Sequence, residues 1–126
     1  MGTIQSFKDL IVWQKAHKLV LDIYTITKKF PVEEKYGLGD QLRRASVSIT
    51  SNIAEGFIMR TAKDKTRFYL TSKGSASECM NQIIIACDLG YIKPSERDTL
   101  DAALNEVMRM ISALVKSSMT HSLSTN

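Results

Sequence analysis

Cysteine, histidine and proline are scarce in this 126-residue chain, and each scarcity excludes something. Cys79 and Cys87 stand eight residues apart on one predicted helix. Their Cα atoms would lie about 12 Å apart, beyond disulfide reach, so both read as small core residues. His17 and His121 have no Cys, Asp or Glu at ligand spacing, which argues against a metal site. No apolar run approaches the ~20 residues of a membrane span. The start, MGTIQSFKDL, lacks the basic and apolar regions of a signal peptide, so a cytoplasmic location is expected. There is no Gly-rich phosphate loop, zinc spacing or nucleophile elbow. Ser46, Ser48 and Ser51 have no positioned base and read as small helical residues. Glu55 and Glu78 form a conceivable carboxylate pair, but nothing supplies a nucleophile or cofactor. The expectation is a protein that is not an enzyme and carries no cofactor. Only two prolines occur, Pro31 and Pro94, and both fall at helix boundaries.

What is present is helical periodicity. The size, 14.1 kDa, suits one domain with a single core. Phe7 to Phe30 carries Leu10, Trp13, Ala16, Val20, Ile23 or Tyr24, and Thr27 at steps of three and four, with Trp13 as core anchor and His17 packed beside the stripe. Leu38, Leu42, Ala45, Ile49 and Ile53 fall within roughly 80° on a second helix that reaches Phe57 or Met59. Gly56 is either its stop or a place where a neighbour approaches closely. A third helix from Ala62 to Gly90, with Thr61 as N-cap, places Tyr69, Ser72, Ala76, Cys79, Ile83 and Ala86 on one face. Gly74 in its middle costs about 1 kcal/mol against Ala, which suggests close packing there. Ser95 and Asp98 open a fourth helix whose seam is Leu100, Leu104, Val107, Ile111 and Leu114. The pattern is lost from Lys116 onward. The expected organisation is a lead at 1–6, a bundle at 7–116 and a flexible tail at 117–126. With no hairpin or βαβ signal competing, the fold class is all-α, an antiparallel up-down-up-down four-helix bundle.

Two polar features remain. Gln41, Arg44, Ser48, Asn52 and Glu55 make a stripe centred roughly 100° from the core stripe of the second helix. Thr71, Ser75, Glu78 and Gln82 make another on the third. The two stripes either face one another or a second subunit, or they are simply solvated. The second feature is charge. Between Arg60 and Lys73 five bases face one acid, Asp64, which leaves that window at +4 and the rest of the chain neutral. Arg60, Lys63, Lys65, Arg67 and Lys73, with Arg43, are the candidate phosphate contacts; a solvated basic helix start is the alternative. No base-reading motif accompanies them.

The runs FKDLxVW at Phe7–Trp13, QLRRAxxSI at Gln41–Ile49 and SNIAEG at Ser51–Gly56, with GSxxE at Gly74–Glu78 and LGY at Leu89–Tyr91, resemble the family of 23S rRNA intervening-sequence proteins. The resemblance covers about Phe7 to Leu114. It implies a small bacterial all-α protein that assembles as a homopentamer, and it extends to the pentameric, basic accessory protein of diversity-generating retroelements, which binds a reverse transcriptase and nucleic acid. In that light Gln41, Arg44, Ser48, Asn52, Glu55, Ser75 and Glu78 become a candidate subunit interface or polar seam. Thr50 departs from the family's frequent proline, so the second helix is expected to run straighter here. RNA or DNA binding by a ring is the leading functional expectation. A scaffold docking an enzyme partner is the alternative, as is an element-encoded protein without host function.

Overall fold

A computed structural model describes the backbone of residues 3–125 and the side chains of residues 3–119. Four α-helices follow one another: α1 (Ile11–Thr27), α2 (Leu38–Ile58), α3 (Ala62–Asp88) and α4 (Pro94–Thr125). Short 3-10 turns at Phe7–Asp9 and Val32–Glu34 precede the first two helices. No strand occurs among the described residues. Each helix touches its neighbours in sequence, and α4 returns to α1, while the diagonal pairs stay apart. Paired residues run in opposite order along neighbours: Ser48 meets Ser75, Ile49 meets Ser72 and Gly56 meets Tyr69, just as Lys15 meets Glu106 and Lys29 meets Glu96.

The apolar stripes of α2, α3 and α4 are buried as their spacing predicts, except that Leu38 and Leu114 are only partly covered. The stripe of α1 differs in part. Ala16, Ile23 and Thr27 are buried as predicted, as is Leu10 ahead of the helix, but Val12, Leu19 and Ile26 complete the buried face in place of Trp13 and Val20, which turns it by roughly 60°. The cause lies at the entry. The first helix does not begin at Phe7: a capping box of Ser6 and Asp9 closes the 3-10 turn, and Leu10 is extended (ψ 126°) before α1 starts. Phe7 then meets Trp13 edge-on at 5.3 Å, and His17 stacks on the indole at 4.8 Å. Trp13 is therefore a half-buried rim residue, not the core anchor, and His17 is exposed. The branched aliphatics fill the centre, and the aromatic with a polar edge sits at the margin.

The helix ends have identifiable causes. Glu34 accepts from the first free N–H of α2, at Leu38 (3.1 Å), and from the Tyr91 hydroxyl (3.0 Å), so one carboxylate ties the start of α2 to the α3–α4 turn. Hydrogen bonding to Glu34 raises the Tyr91 pKa. Gly90, at φ +81°, lets Tyr91 N donate to Ala86 O and Gly90 N to Cys87 O, a Schellman closure of α3. Pro94 is the first residue of α4, and Glu96 accepts from Lys93 N, so that helix starts on Pro94 rather than on Ser95 and Asp98. At the other end α4 continues to Thr125, across residues expected to form a tail. Met1, Gly2 and the side chain of His121 lie outside the described residues.

Candidate functional site

The two polar stripes meet at one level only. Ser48 Oγ and Ser75 Oγ are 2.7 Å apart, and Asn52 Nδ2 donates to Ser48 O (2.8 Å) and Ser48 Oγ (3.1 Å). Beside them the buried Ser72 Oγ donates to Ile49 O at 2.7 Å. Small hydroxyls thus satisfy one another where α2 and α3 lie close. Gln41, Arg44, Glu55 and Glu78 are not in this seam: all four are exposed. Arg44 pairs with Asp40 on its own helix at 2.9 Å. Glu55 and Glu78 make no hydrogen bond or ion pair among the described residues, so no carboxylate pair forms. Gln82 is buried with its Oε1 unpartnered. α2 runs unbroken through Thr50, whose hydroxyl donates to Val47 O, as expected without proline there.

Gly56 is a close-approach glycine. A Cβ there would stand 2.6 Å from the Tyr69 ring and 3.2 Å from Phe68 Cβ. Gly74 is the reverse: it is exposed, with nothing near its missing side chain, so the close packing expected there does not occur within this chain.

The basic cluster divides by role. Lys65 Nζ donates to Phe57 O (2.7 Å) and Gly56 O (3.3 Å), the last carbonyls of α2, and lies 5.5 Å from the centre of the Phe57 ring. It is a helix C-cap cation, and burial lowers its pKa. Arg60, Lys63 and Arg67 are exposed around the α2–α3 turn. Arg67 lies over the Phe68 ring at 4.5 Å and 3.9 Å from Asp64, an ion pair too long for a hydrogen bond. Lys73 is half-buried, about 15 Å further along α3 than Lys63. Arg43 is not part of the cluster. It sits about 25 Å back along α2, donates to Lys35 O at 2.9 Å and lies near the Tyr24 ring. Sequence spacing missed the capping role of Lys65, though a lysine shortly after a helix stop is itself a signal for one.

Among the described residues no group of His, Cys, Asp or Glu could hold a metal ion, and no helix is long and apolar enough to cross a membrane. Burial and the neighbouring Glu78 push the Cys79 thiol up to about 12, which leaves it unreactive.

A model of the 23S rRNA-intervening sequence protein family matches residues 8–113. The chain belongs to that family. The match to the 23S rRNA-intervening sequence family takes in the Ser48–Ser75 seam, Gly56 and the whole α2–α3 turn. The bundle is also similar to a crystal structure of a protein of unknown function from the S23 ribosomal protein family of Bacteroides thetaiotaomicron VPI-5482. The TM-score is 0.78 at 19% identity, over 84% of this chain and 96% of that one, which establishes a shared fold. No curated protein matches the sequence.

Proposed function

We propose that this 23S rRNA-intervening sequence family protein is a non-enzymatic, cytoplasmic assembly that binds RNA or DNA. Its antiparallel, up-down-up-down bundle closes with copies of itself into a ring, and five subunits is the number the family resemblance implies. The observation that carries the binding is the α2–α3 turn. Arg60, Lys63 and Arg67 stand exposed there with one loosely held acid, and a ring would repeat that surface in every subunit, turning weak contacts into avid ones.

The assembly rests on the outward face of α3. Leu70, Ile84 and Ile85 are exposed beside Gly74, Ser77 and Asn81, all within about 100° of one another. An apolar stripe interrupted by a glycine with open space suits a second chain laid along it. A protein-interaction scaffold is the second reading, favoured by the same face; a partner enzyme co-purifying at near-native salt would mark it.

Fluorescence anisotropy with short RNA and DNA over a salt series tests the binding. The affinity is expected to fall steeply with salt. Reversing Arg60, Lys63 and Arg67 together to Glu should abolish binding, with helicity unchanged. Lys65 is left in place because it closes α2. Absence of binding at low salt, or indifference to the triple reversal, overturns the proposal.

A further inference from the structure

At the opposite end of α2 from the basic turn, α1 and α2 frame a cavity of about 530 Å³. Its walls include Tyr24, Phe30, Pro31 and Val32, and its charged members are Lys28, Lys35 and Arg43. That volume lies within the range of small-molecule pockets. From the sequence this stretch looks unremarkable in charge: Lys28 to Arg44 holds five bases against three acids. The fold changes that balance. Lys29 is taken up by Glu96 at 2.6 Å, and Arg44 by Asp40. Glu34 is held by Leu38 N and the Tyr91 hydroxyl. Asp22, one helical turn before Ile26, pairs with Lys18. Glu33 does not line the cavity, and its charge acts on Tyr91. Lys28, Lys35 and Arg43 are left with no carboxylate partner among the described residues.

From these placements we infer that the cavity is a second site, separate from the α2–α3 turn, for a phosphate monoester carried on a flat aromatic body: a nucleotide, free or at the 5′-phosphorylated end of a single strand. Three cations around a concave wall favour a dianion over any neutral or positive ligand. Arg43 is held in position by its bond to Lys35 O, which occupies one of its five N–H donors and leaves others for a phosphate. Tyr24, an exposed residue, offers its ring for stacking, and Phe30 and Pro31 extend the apolar wall against which a base would lie. An aliphatic amphiphile would leave the aromatic wall without a matching partner, and inorganic phosphate alone would leave it wet.

Isothermal titration calorimetry of the full chain with adenosine monophosphate at low salt is the test. Saturable binding is expected, with inorganic phosphate and adenosine each weaker by about tenfold or more, the scale of one charge-assisted contact. Lys28→Glu with Lys35→Glu alters two exposed side chains and should lower the affinity at least as much. Tyr24→Ser should reduce binding to the level of inorganic phosphate. The triple reversal at Arg60, Lys63 and Arg67 should leave it unchanged, which separates this site from the one at the turn. A 5′-phosphorylated five-nucleotide single-stranded RNA that competes with the mononucleotide and binds more tightly would identify a strand end as the source; one that does not compete would identify the free nucleotide. No saturable binding at millimolar ligand, or binding insensitive to the lysine reversals, overturns the inference.

Discussion

Gly56 and Tyr69 set how near α2 can come to α3. A methyl group at Gly56 would stand 2.6 and 2.8 Å from atoms of the Tyr69 ring, and Tyr69 is a core residue only 2% exposed. Gly56→Ala is therefore expected to destabilise the chain by about 1–3 kcal/mol, the range for overpacking a tight interior, despite the gain in helix propensity. Urea unfolding would read it as a lower midpoint at an unchanged slope; an unchanged or raised midpoint would refute the close approach. The sequence already held this distinction. At 100° per residue Gly56 falls in the middle of the stripe made by Leu38, Leu42, Ala45, Ile49 and Ile53, whereas Gly74 falls on the side of α3 opposite Tyr69, Ala76 and Ile83. Reading phase rather than mid-helix position separates a glycine that admits a neighbour from one that faces outward. The role of Lys65 was harder to see. Charge counting grouped it with Arg60, Lys63 and Arg67, but its ammonium reaches back to carbonyls eight and nine residues earlier, and only the angle of the turn brings them together.

Between elements, the α2–α3 contact joins residues chosen for smallness. Ser48 meets Ser75, Ser72 meets the backbone of Ile49 and Gly56 admits Tyr69, and the hydroxyls that close packing buries are bonded across or along the helices. Ser48 and Ser75 form a bond between side chains across the pair. A double-mutant cycle of Ser48→Ala and Ser75→Ala should show a coupling of about 0.5–1.5 kcal/mol in unfolding free energy, because either single change already breaks the bond between them and the double change breaks it only once. Additive single effects would mean that the two hydroxyls act independently. At this scale the sequence was legible wherever a helix keeps one unbroken stripe. α2, α3 and most of α4 were readable for that reason. α1 was readable only in part: Ala16, Ile23 and Thr27 are buried as read, but Trp13 and Val20 widen its apolar arc and leave two candidate phases. Leu10 chooses between them by leaving helical geometry, a tertiary event that periodicity does not encode. The last turns of α4 carry no apolar repeat, so their helicity had no signature in spacing.

For the whole molecule, the question is what lies against α3. A four-helix bundle buries one stripe per helix and leaves the opposite sides to water. On α3 that opposite side keeps Leu70, Ile84 and Ile85 exposed and places a glycine among them. In an isolated bundle Gly74 has no steric purpose, so Gly74→Ala should stabilise it by about 1 kcal/mol through propensity alone. In an assembly with a second chain against this face, the added methyl group should bring no gain or a loss. The two cases separate in one experiment. Ile84→Asp with Ile85→Asp should leave the helical circular-dichroism spectrum intact and reduce the mass measured by light scattering to 14.1 kDa, the mass of one chain. Gly74→Ala should then raise the unfolding midpoint in that dissociated background and fail to raise it in the unaltered protein. A single-chain mass for the unaltered protein at working concentration, or the same gain from Gly74→Ala in both backgrounds, would leave the apolar side of α3 facing water and remove the physical ground for a ring.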